Sequence, residues 1–272
     1  SWQRAAELAL TMSPDVGTST NISPAMDEKV YGPEVDVNLE AEYGWNQRGR
    51  PELYVRSSPW TRHIRFEIAE ANCMSAAGSF GQMRRFSGVP LLPLMTVYDF
   101  FIKRALDQLY YNVYWRSSFI LVGTPSGVSL SPEGAQHSWK SDIQFPSLIT
   151  WEPAFAKEME WVLADATRRH LEEDQKDREG VLIRASTRGL PQKEFLKRLK
   201  AQARFAGEST ESIYGVIRRD VLAGGYKLLD RSAEAGYLPG DNVTTILAMG
   251  ALVPEALQAS DALVADGVFA DV

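Results

Sequence analysis

Short apolar runs alternate along this chain with segments of helical periodicity. Residues 8–12, the start of 64–81, 89–96, 118–123, 147–151 and 180–186 read as strands. Helical spacing is expected over 2–8, over the small-residue stretch that completes 64–81, over 98–115, and over 153 to about 173. The run 89–96 is too apolar to have one wet face, so it predicts a strand covered on both sides. Six strands mostly separated by helical crossovers predict an α/β fold with a mostly parallel sheet and helices on both faces. The polar segment 22–59, with its prolines and glycines, has little periodicity and is read as a long connection.

Beyond Leu190 the texture changes. Residues 192–200 form a basic amphipathic pattern with Phe195 and Leu199 on its apolar side, expected as a linker helix. Docking of an acidic partner on Lys197, Arg198 and Lys200 is the sharper reading of the same helix. Residues 243–250, 254–264 and 268–272 then read as strand, helix and strand, the start of a second α/β domain. The expected division is 1–190, a linker over 191–223, and 224–272. The chain opens inside an expected helix and stops on an expected strand, which predicts a piece of a longer polypeptide.

The 272 residues are ordinarily globular in composition, 44% hydrophobic and 24% charged. A formal charge of -6 gives no electrostatic reason to expect nucleic acid or an anionic membrane surface. The single cysteine, Cys73, cannot form an internal disulfide, and no apolar run has the length of a membrane span, so a cytoplasmic setting is the default expectation.

Most catalytic patterns are excluded. Gly123-Thr-Pro-Ser-Gly127 places its serine one position late for a nucleophile elbow. There is neither a Walker phosphate loop nor a full dinucleotide fingerprint, and His63, His137 and His170 lack metal spacing. His63 and His170 are expected on the surface. His137 stands in a turn-rich loop after a buried strand, where a functional and a structural role are equally open. The turn into the small-residue helix carries Glu67 and Glu70, near unpaired backbone N–H groups, where a carboxylate either caps the helix or faces a ligand at the strand ends. Tyr98 and Phe101, three apart, are either core or an aromatic platform.

Taken in order, Ile68-Ala-Glu70 before a small-residue helix, Pro93 followed by Tyr98 and Phe101, and Gly123-Thr-Pro-Ser with Glu133-Gly-Ala-Gln-His137 resemble the pyrimidine-binding region of thiamine diphosphate enzymes. The pattern is similar to the transketolase group, and most to the homodimeric first component of the pyruvate dehydrogenase complex. It covers residues 8 to about 190, and more weakly the chain from Gly224 onward. The resemblance implies that Glu70 shares a proton with the cofactor's aminopyrimidine, its carboxyl poised by apolar burial. It further implies that Tyr98 and Phe101 stack on that ring, that Ile68 supports the bent cofactor, and that Asp15 lies near it. Glu133 and His137 are implied to face the substrate, the histidine hydrogen-bonding a developing oxyanion or hydroxyl.

The implied activity is decarboxylation of a 2-oxo acid, with transketolase-type ketol transfer and a non-catalytic α/β interaction module as alternatives. Thr124-Pro-Ser126 replaces a stretch in which transketolases carry a further histidine. The Gly-Asp-Gly motif that holds the diphosphate through magnesium is absent from this sequence. The resemblance therefore implies magnesium ligands outside this chain, in a preceding region or another polypeptide. It also implies a homodimer and, for the dehydrogenase reading, docking on an acyltransferase core.

Overall fold

The computed structural model describes residues 7–15, 17, 20, 22, 25, 30–31, 63–124, 147–172, 179–186 and 188–272. Its strands and helices follow the alternation in the sequence: β1 (Ala9–Ser13), β2 (Val30–Tyr31), β3 (His63–Arg65), α1 (Glu70–Gly81), α2 (Met83–Ser87), β4 (Leu92–Val97), a 3-10 segment (Asp99–Ala105), α3 (Leu106–Tyr114), β5 (Ile120–Gly123), β6 (Leu148–Trp151), α4 (Ala156–Leu171) and β7 (Gly180–Arg184). These strands form one sheet in the order β2-β3-β1-β4-β5-β7-β6. All six expected strands are present. The seventh, β2, is a two-residue strand inside the segment expected to be wholly connecting.

Parallel pairing of β1 with both β3 and β4, and of β4 with β5, brings the carboxyl ends of four strands side by side. The sheet's core is made by Met12, Met95, Val97, Phe119, Leu121 and Leu182 from its strands and neighbouring loops, with Cys73, Met74 and Ala77 of α1 against them. Helix α1 comes unusually close to its neighbours because its residues are small. A β-carbon on Gly78 would stand 1.9 Å from Asn112 Oδ1, and one on Gly81 would stand 2.3 Å from the Ser118 carbonyl oxygen.

Two histidines expected on the surface are buried instead. Strand β3 begins one residue earlier than its apolar run, so His63 lies within the sheet, fully enclosed, between Thr11 Oγ1 at 3.0 Å and Ser13 Oγ at 3.3 Å. His170 extends the stripe Val162, Ala166, His170, four apart on α4, and bonds Ser118 Oγ at 2.8 Å and the Leu91 carbonyl. The charges around it in sequence hid that stripe.

Burial first, and the nearby Arg65 charge second, push the His63 imidazole down to about 4. The unfolded chain therefore takes up this proton before the folded one does. The stability contributed by neutral His63 is complete above about pH 6.5 and is lost as pH falls from there toward 4. Between pH 7 and pH 5 the loss should be about 2 kcal/mol. Urea unfolding at the two pH values, compared between the unsubstituted chain and His63→Gln, checks it: the variant should lack that part of the slope.

Two compact units divide the chain, the first drawn from 1–124, 142–150 and 167–183, the second from 125–141, 151–166 and 184–272. In the second unit, α5 (Gln192–Lys200) and α6 (Thr210–Ala223) precede β8 (Val243–Thr245), α7 (Val253–Leu263) and β9 (Phe269–Asp271). The amphipathic reading of α5 holds, with Phe195 and Leu199 buried. Phe195 packs among the rings of Phe155, Trp161, Tyr214 and Tyr226. Within that unit Glu158 accepts the backbone N–H groups of Ala154 and Phe155 and the Tyr226 hydroxyl, closing the head of α4. Strands β8 and β9 pair in parallel as a two-stranded sheet, the expected second α/β element.

Candidate functional site

The carboxyl rim of β3, β1, β4 and β5 is where the first unit gathers its candidate residues. The chain leaves β3 through a tight turn in which Glu67 adopts a left-handed φ of 53°. Ala69 N–H bonds the Glu67 carbonyl at 2.7 Å within that turn. Such backbone is costly for a residue with a β-carbon, by about 1–3 kcal/mol, and its position beside candidate chemistry directs attention to the rim. The turn holds Ile68 outward, 70% exposed, a large apolar group left in water. Two residues later Glu70 opens α1, and here the carboxylate is enclosed, only 7% of the residue being exposed.

Next along the rim, β4 gives way to Tyr98 and the 3-10 segment. A 3-10 helix repeats every three residues, so side chains three apart lie in rows. Asp99, Ile102 and Ala105 form the buried row. A second row is Tyr98, Phe101 and Arg104, and Phe100 and Lys103 lie on the third. The rings of Tyr98 and Phe101 are 5.6 Å apart, tilted by 42°. The Arg104 guanidinium lies over Phe101, 5.0 Å from its centroid, and its Nη1 donates to Glu70 Oε1 at 2.8 Å.

Arg104 thus ties the carboxylate to the ring pair, making one cluster of Glu70, Tyr98, Phe101 and Arg104. Glu70 was expected to be poised by apolar burial alone; an arginine sits on one of its oxygens instead. Sequence reasoning passed over Arg104, although its place three residues after Phe101 continued the Tyr98–Phe101 spacing. Cys73, on the following turn of α1, is a buried thiol pushed upward by burial first and by the Glu70 charge second, so it stays protonated and unreactive.

The remaining expected residues are placed less closely. Asp15 is exposed on the turn after β1, at the same end of the sheet. His137 and Glu133 lie outside the described residues. Glu152, which also leaves a strand, belongs to the second unit and pairs with Arg184 at 2.9 Å. Among the described residues no group of three or more His, Cys, Asp or Glu side chains could hold a metal ion. No helix among them is long and apolar enough to cross a membrane.

A parallel sheet with helices around it defines an α/β fold, in which the carboxyl ends of the strands are where ligands gather when they bind. The particular version is transketolase-like. A transketolase from Pichia stipitis in complex with fructose 6-phosphate superposes with a TM-score of 0.63 at 17% identity, covering 97% of this chain and 31% of that one. The transketolase of Campylobacter jejuni gives 0.60 at 15% identity, over 98% and 32%. A split-gene transketolase, solved as an inactive β4 tetramer, gives 0.50 at 19% identity over 95% and 68%. This chain therefore spans about a third of the length of the full transketolases it matches. No family model matches the sequence, and no curated protein is recognisably similar to it.

Proposed function

We propose that this chain supplies the pyrimidine-binding half of a thiamine diphosphate site, in an enzyme that breaks the bond beside the carbonyl of a 2-oxo acid. The observation that carries the reading is the cluster at the rim: an enclosed carboxylate, Glu70, linked through Arg104 to the Tyr98–Phe101 ring pair, with Ile68 left in water beside it. A flat, weakly basic ring needs such groups, a carboxyl for its ring nitrogen, an aromatic face for stacking and an apolar prop. The transketolase-like fold supports the same reading.

The residues fit the pyrimidine end of the cofactor. They do not fit its diphosphate end, since no metal-holding group occurs among the described residues. When bound, thiamine diphosphate would supply the carbon nucleophile for the substrate carbonyl. Glu70 would hold a proton at its carboxyl, exchanging it with the ring nitrogen; Tyr98 and Phe101 would fix the plane of the ring; Ile68 would keep water from its far side. Glu133 and His137, which follow β5 in the sequence, would contact substrate, and Asp15 would lie at the margin. The diphosphate and its magnesium would be held by another region or chain, in an assembly of at least two copies of the site.

The 2-oxo acid assignment is favoured over ketol transfer by Thr124-Pro-Ser126, which stands in the stretch where transketolases usually carry a further histidine. Ketol transfer is the second reading, favoured by the identity of the fold relatives. Calorimetry tests the whole proposal. Joined to a diphosphate-binding polypeptide, encoded upstream of Ser1 or separately, the chain should bind thiamine diphosphate tightly and only with magnesium. Absence of binding in that assembly would leave a non-catalytic α/β module.

A further inference from the structure

We infer that Arg104 is a built-in stand-in for the ligand's aminopyrimidine, occupying the subsite until the ligand displaces it. The inference rests on the cofactor reading above and deepens it. A guanidinium and an aminopyrimidine that has taken its ring proton from Glu70 share an in-plane N–H donor and a conjugated face above it. In this chain the guanidinium donates from Nη1 to Glu70 Oε1 at 2.8 Å and lies over the Phe101 ring at 5.0 Å. Those are the two groups, carboxyl partner and stacking ring, that the reading gives to the pyrimidine. A ligand ring cannot take that oxygen and that face while the guanidinium remains.

The arrangement is also easily opened. The Arg104 side chain is 52% exposed and that of Glu70 only 8%, so the arginine reaches the carboxylate from the solvent side and can swing back to water. Its row in the 3-10 segment points it at the subsite without any backbone rearrangement. A site occupied by its own side chain binds ligand more weakly in proportion to that occupancy. Release requires breaking one partly exposed ion pair and one cation–π contact, both weak, and together they set the expected effect at about tenfold in affinity.

The test uses 4-amino-5-hydroxymethyl-2-methylpyrimidine, a neutral probe without a diphosphate tail, in ligand-observed NMR titrations of the 272-residue chain. Arg104→Met keeps the length of the stem and removes the planar cation. This variant should bind the probe about tenfold more tightly than the unsubstituted chain. Methylguanidinium added to the variant should compete with the probe, and Glu70→Gln in the same background should lose both ligands.

Equal or weaker probe binding by Arg104→Met, or failure of methylguanidinium to compete, overturns the stand-in role and leaves the cofactor reading intact. No probe binding by either chain overturns the cofactor reading and the inference with it. Circular dichroism monitors folding, and Arg104→Gln carries the same expectations should the methionine variant fail to fold.

Discussion

Glu70→Ala, in the assembled enzyme, is expected to cut turnover by about 10²–10⁴-fold, the usual contribution of a positioned proton-transfer group. Glu70 is enclosed at the head of α1, and among the described residues its one hydrogen-bonding partner is Arg104. Because that arginine is half exposed, losing the carboxylate returns it to water and leaves no buried charge behind. Turnover should therefore collapse while the thermal midpoint moves by a few degrees at most. Steady-state kinetics and a melting curve on the same preparation separate this outcome from structural damage, and near-normal turnover would remove the role assigned to Glu70.

Gly78→Val should be strongly destabilising to the first unit. The β-carbon would arrive 1.9 Å from Asn112 Oδ1 and within 2.5 Å of two further atoms of that side chain. Asn112 cannot simply turn away. It is buried, and its Nδ2 donates to the Met74 carbonyl at 2.8 Å, a bond that joins α1 to α3. Overpacking and the loss of that bond together should cost between about 3 and 5 kcal/mol. Chemical denaturation measures it; a loss below 1 kcal/mol would mean that α3 can shift away from α1 at little cost.

The fold was largely legible because both of its signals are local. Runs such as Leu92–Val97 and Ile120–Gly123 are apolar on both faces, and the stretches between them keep helical spacing. Where the sequence misled, tertiary partners were responsible. His63 and His170 are polar residues whose neighbours in space, not in sequence, satisfy them: Thr11 and Ser13 for one, Ser118 and Leu91 for the other. Strand β2 has only two residues, too few for any periodicity.

At the rim, Glu70, Tyr98 and Phe101 were legible as a spacing, whereas their closure by Arg104 was not. Reading residues 98–115 as one α-helix hid it. At 3.6 residues per turn, positions 98, 101 and 104 drift progressively around the axis; at three per turn they stay aligned. The buried row Asp99, Ile102, Ala105 carries the same period, visible only once the segment is known to be 3-10.

That period of three has a consequence for how this stretch can vary. Replacing a side chain in any one row changes one tooth of the comb. Deleting a single residue between Asp99 and Ile102 would rotate everything after it by a third of a revolution, sending Lys103 toward the methionine-rich interior and Ile102 to the rim. Variants of this segment should therefore keep its length.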